Sequence, residues 1–122
     1  MRDILHAYVD GFDLEGIAPV LKERIAALLS SRRWACDVWL VDQQHDVSGS
    51  KSGDLPEWDL GVNMDPASSS KERYREDLIS LYRGLSKIAV ETGRDFVFGI
   101  RGEDCLFTCD QLDDSELIRR MG

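Results

Sequence analysis

Little in this sequence interrupts a fold, and little of its charge is positive. Three prolines and ten glycines among 122 residues leave no long disordered tract of the Pro/Gly-rich kind. No run approaches the roughly 20 apolar residues of a membrane span, and Met1-Arg2-Asp3-Ile4-Leu5-His6 lacks the apolar core of a secretory leader. Cysteine is scarce and odd in number: Cys36, Cys105 and Cys109 point to reduced thiols in a cytoplasmic chain rather than a disulfide framework. Basic side chains number 15 against 23 acidic ones, for a net charge of −8. That balance excludes electrostatically driven binding to nucleic acid or to an anionic membrane. At this length one hydrophobic core buries about two thirds of the unfolded surface, so residues 1–122 read as a single domain.

The negative charge is regional. Residues 34–70 carry Asp37, Asp42, Asp46, Asp54, Glu57, Asp59 and Asp65 against Lys51 alone, and residues 95–122 hold seven acids against three bases. Residues 1–33 balance to zero, and residues 71–94 are slightly basic.

Hydrophobic period places the elements. Ile4 to Val9 alternates and reads as a strand. Ile17, Leu21, Ile25, Leu28 and Leu29 form one helical stripe, starting near Gly16 or Ile17 because Pro19 is tolerated only in a first turn. Trp34 to Asp42 is β-branched and aromatic, a second strand. Glu57 to Met64 alternates Trp58, Leu60, Val62, Met64 with Asp59, Gly61, Asn63, as a half-buried antiparallel strand does. Between them the polar segment Gln43–Pro56 is longer than a hairpin requires, and connections of that length tend to be functional or mobile.

Ser69 and Glu72 have capping-box spacing ahead of a long helix carrying Tyr74, Leu78, Leu81, Tyr82, Leu85, Ile88 and Ala89, which stops at Gly93. Gly84 within it weakens the helix and implies a close neighbour. Phe96–Ile100 and Cys105–Cys109 read as strands, and Asp113 with Glu116 caps a terminal helix over Ser115–Met121. The order β-α-β-β-α-β-β-α predicts an α+β domain of the split βαβ, ferredoxin-like type. Its sheet is rich in antiparallel pairs, with two helices on one face.

Motifs for chemistry fail on spacing. Gly49-Ser50-Lys51-Ser52-Gly53 is neither a phosphate-binding loop nor a nucleophile elbow. Cys105 and Cys109 have no second ligand pair for a metal, and His6 and His45 stand alone in sequence. Nothing in the spacing demands that a thiol meet His6, or that Asp42, Asp46, Asp59 and Asp65 form a catalytic carboxylate pair. The expectation is a non-enzyme with no cofactor.

What remains is a surface. If Leu60 and Val62 face the helices, Asp59, Gly61 and Asn63 face outward. By the same alternation Asp37, Trp39 and Val41 join them, as do His6, Tyr8 and Asp10. Aromatic residues among carboxylates suit a protein-binding face, with Tyr8, Asp37, Trp39, Asp42, Asp46, Asp54, Glu57, Asp59 and Asn63 as candidate contacts. The element order and the acidic stretch Asp37–Asp65 resemble the immunity proteins of bacterial toxin systems. That resemblance implies a stoichiometric inhibitor binding a cognate toxin or other basic protein. The competing reading is a small ligand-sensing or regulatory domain that acts as a homodimer through the same face.

Overall fold

The computed structural model describes residues 4–10, 14–44, 58–66, 69–101 and 106–122. Five strands, β1 (Leu5–Val9), β2 (Asp37–Gln44), β3 (Trp58–Asp65), β4 (Phe96–Ile100) and β5 (Phe107–Thr108), form one sheet in the order β2-β3-β1-β4-β5, every neighbour antiparallel. Helices α1 (Ala18–Ser30) and α2 (Lys71–Thr92) connect β1 to β2 and β3 to β4, and α3 (Asp114–Met121) closes the chain. Each β-α-β unit leaves a gap that a strand of the other unit fills: β3 between β1 and β2, β1 between β3 and β4. This is the interleaved split βαβ arrangement expected from the element order, extended by β5.

Alternation along the strands sets the layers. Leu5, Ala7 and Val9 of β1, Leu60, Val62 and Met64 of β3, and Phe96 and Phe98 of β4 are buried on one face. There they meet Leu21 and Ile25 of α1 and Tyr74, Leu78, Leu81, Leu85 and Ile88 of α2. The α2 residues recur at three and four, the spacing of one helix face. Both long helices therefore cover the same side of the sheet. Gly84 lets them approach: a β-carbon there would collide with the Leu28 side chain of α1.

Local details differ from the sequence expectation in instructive ways. A 3-10 turn over Leu14–Gly16 precedes α1, which starts at Ala18 and ends at Ser30. β2 begins three residues later than expected, because Ala35 and Cys36 donate their backbone N–H groups to a side chain of α2. It then runs past Asp42 to Gln44, because β3 stays in register with it to Trp58. The cap of α2 is Ser70, which accepts from the Arg73 N–H at 3.2 Å, while the Ser69 hydroxyl donates to the Pro66 carbonyl at 3.0 Å. Gly93 closes the helix with φ 72°, in the left-handed region where glycine is favoured. The expected strand over Cys105–Cys109 is reduced to Phe107–Thr108. Cys109 already opens a 3-10 turn whose first N–H is taken by the Asp95 carboxylate at 3.0 Å. Cys105 lies outside the described residues. Asp113 caps α3 by accepting from the Glu116 N–H at 2.8 Å. Among the described residues no helix is long and apolar enough to cross a membrane.

Candidate functional site

The sheet face turned away from the helices is built from two cross-strand rows. One runs Trp39, Asn63, His6, Gly99 and the next Val41, Gly61, Tyr8, Val97, Thr108. Gln43 opposite Asp59 and Asp37 opposite Asp65 lie beyond them on β2 and β3. All these residues share one face because side chains alternate strictly along unbulged strands.

Within this face the aromatic groups are fixed to one another. The Tyr8 hydroxyl donates to Asn63 Oδ1 at 2.7 Å, and the Tyr8 ring stacks on His6 with centroids 5.1 Å apart. Burial pushes the Tyr8 phenol above its usual range, the Asp59 carboxylate pushes it further, and Asn63 and Arg101 oppose the shift. Burial lowers the His6 imidazole, with Asp59 opposing, so neutral imidazole is the favoured form at pH 7. Gly99 leaves room for this ring: a β-carbon there would meet the Leu106 side chain and come within 2.7 Å of His6 Cε1. Gly61 serves a different purpose, since its β-carbon would run into the Ala7 carbonyl oxygen and lie 2.8 Å from Tyr8 Cα. The backbones of β1 and β3 thus come close at that point. Trp39 remains 40% exposed and Leu106 53% exposed.

The structure brings Tyr8, Asp37, Trp39, Asp59 and Asn63 onto this one face. Asp42 is elsewhere. It is in register with buried Leu60, on the helix side of β2, and is paired with Lys22 of α1 at 3.0 Å. Asp46, Asp54 and Glu57 lie outside the described residues. Sequence reasoning placed His6 on the face but overlooked Leu106, Gly99 and Arg101. The signal for Leu106 was available in the alternation Leu106, Phe107, Thr108.

Another overlooked residue, Asp77, positions the site from behind. It stands on the apolar stripe of α2, one turn after Tyr74, and is only 1% exposed. Its carboxylate accepts from the N–H groups of Ala35 and Cys36, both at 2.8 Å, and from the Arg32 guanidinium at 3.1 Å. Three donors compensate the burial of a charge that would otherwise be costly. They also pin the chain immediately before β2, and so fix the strand that carries Trp39.

The helix side has concave regions of its own. A cleft of about 410 Å³ lies between the end of α1 and the start of α2, lined by Arg32, Arg33, Arg73, Glu72, Glu76 and Asp77 among others. Its charges balance, and Asp77 is already committed to the backbone. A shallower hollow of about 440 Å³ lies beside Tyr82, Ser86, Arg94 and Cys109. Burial pushes the thiols of Cys36 and Cys109 up to about 11, so neither is a ready nucleophile. Both also lie on the helix side, across the sheet from His6. Among the described residues no group of three or more His, Cys, Asp or Glu side chains could hold a metal ion. Compared with protein-family models, with curated proteins and with solved structures, the chain gives no match.

Proposed function

We propose that this protein is a stoichiometric inhibitor of a basic protein partner, in the manner of bacterial immunity proteins, and that it docks through the open face of its sheet. One observation carries the reading: Trp39 stands 40% exposed in a row with Asn63 and His6, beside carboxylates, on the face that no helix covers among the described residues. A partly exposed tryptophan offers a large apolar area that a partner can bury. Covering the remaining area, of order 100 Å², contributes about 2–3 kcal/mol. Tyr8, already immobilised by Asn63 and His6, loses little side-chain entropy on docking. The acids of β2 and β3 accelerate encounter with a positive surface and discriminate against acidic proteins.

The experiment is co-expression with the product of the adjacent open reading frame, followed by calorimetry on the purified components. A 1:1 complex is expected, weakened at least tenfold by Trp39→Ala. Asp37→Asn and Asp59→Asn should slow association at low salt while leaving dissociation nearly unchanged. Absence of a complex, or one indifferent to Trp39→Ala, overturns the proposal. A homodimer that buries Trp39 and admits no second protein would replace it with self-association.

A further inference from the structure

β2 is an edge strand. In the order β2-β3-β1-β4-β5 its inner side pairs with β3, and among the described residues no strand lies on its outer side. Its eight residues, Asp37–Gln44, pair one for one with Asp65 to Trp58 without a bulge. Every second residue of such a strand turns its N–H and C=O outward, which makes a template for another strand.

Edges of this length are normally blunted by lysine, proline, a bulge or extreme shortness. The far edge follows that rule. β5 has two residues, runs straight into a 3-10 turn, and has the Arg120 guanidinium 4.5 Å from the centroid of Phe107. β2 contains no lysine, no proline and no bulge. The charges it does carry are Asp37, on the open face, and Asp42, on the helix side beside Lys22. Carboxylates at an edge do not block strand addition in general; they select its sign. A second copy of this chain, itself at −8, is disfavoured, while a strand carrying cations next to Asp37 gains cross-strand attraction. On the helix side Val38 and Leu40 are half-buried and offer apolar contact to the alternate residues of an added strand.

We propose that β2 accepts an extended segment of a basic protein as a sixth strand. Main-chain hydrogen bonds would supply affinity, with lysine or arginine on the open face and apolar residues on the helix side. The proposal rests on the basic-partner reading above and names how that partner engages.

The test uses an end-blocked eight-residue peptide of alternating lysine and valine with the intact protein, followed by amide NMR and hydrogen exchange. Slowed exchange is expected at alternate amides of Asp37–Gln44, with no binding by the matching glutamate–valine peptide. Two further peptides are N-methylated, one at every lysine and the other at every valine. In a strand these two sets of amides point to opposite sides, so one methylated peptide should lose more than tenfold in affinity and the other should not. Failure of the lysine–valine peptide to bind, equal loss with both methylated forms, or perturbation away from β2 overturns the proposal. The two readings separate cleanly. If the neighbouring gene's product docks in a Trp39-dependent way while the peptide leaves the β2 amides unprotected, only strand addition falls. If the peptide protects β2 but no protein docks on Trp39, only the docking reading falls.

Discussion

Replacing Asp77 by alanine should destabilise the protein more than any exposed charge deletion, because what it removes is an acceptor for buried backbone. The Cys36 N–H, 2.8 Å from the carboxylate, would be left in a dry environment at a cost of about 1–3 kcal/mol. The Ala35 N–H, also at 2.8 Å, belongs to an exposed residue that water can reach, so its share is smaller, roughly 1 kcal/mol. The Arg32 bond at 3.1 Å comes from a guanidinium about one third exposed and contributes about 0–1 kcal/mol after screening. Relief of the carboxylate's own desolvation offsets part of this loss. The net expectation is about 3 kcal/mol, a fall of roughly 12 °C in Tm for a chain of this size. Asp77→Asn keeps one oxygen able to hold both N–H groups and turns its amide toward Arg32, so it should cost only about 1 kcal/mol. Arg32→Ala should cost less still. Urea unfolding monitored by tryptophan fluorescence measures all three, and hydrogen exchange at Ala35 and Cys36 should accelerate in the alanine variant. The reasoning fails if Asp77→Ala lies within about 0.5 kcal/mol of the parent. It fails equally if asparagine is as damaging as alanine, which would make charge and not backbone acceptance the essential property.

Gly61→Ala should lose about 1–3 kcal/mol, because the added carbon strikes the backbone of β1 at Ala7 and Tyr8. A neutral result in the same urea titration would mean that β1 and β3 do not approach closely there. Cys36 and Cys109, with thiols pushed up to about 11, should react slowly with a disulfide reagent at pH 8 until the protein is unfolded. Since the unfolded thiols ionise first, stability is full below about pH 9 and declines as pH rises toward 11. Thermal melts between pH 8 and 11 should show that decline lessened in Cys36→Ala, and an unchanged alkaline slope would refute the assignment. His6, lowered by burial, should disfavour the folded state as pH falls below about 6.5, where the unfolded chain takes the proton first. His6→Gln should flatten the loss of stability between pH 7 and 5, and an identical slope in both proteins would count against a partly buried neutral ring.

The elements were legible because they depend on local period. Leu60, Val62 and Met64 against Asp59, Gly61 and Asn63 already distinguish two faces of β3, and the Tyr74–Ile88 stripe already marks the inner side of α2. The open face followed from the same alternation. Ends of elements were less legible, because two neighbouring serines compete for one cap: Ser69 has the capping-box spacing, yet Ser70 takes the Arg73 N–H. Asp77 sits on an apolar stripe, which signals that a buried partner must exist without saying what it is. Its partners lie more than 40 residues earlier in the chain.

Neighbouring residues and their spacing thus sufficed for the order of the main strands and helices, their alternating faces and the regional excess of carboxylates. The element order already implied the interleaved pairing of the strands, but the register of those pairs and the side chains that meet across them emerged only in the folded chain. Pairing β3 between β1 and β2 put Trp39 in line with Asn63 and His6 and left β2 at the edge, and packing α1 against the sheet brought Lys22 to Asp42. Those outcomes depend on contacts between residues 20 to 60 positions apart, which no local period encodes.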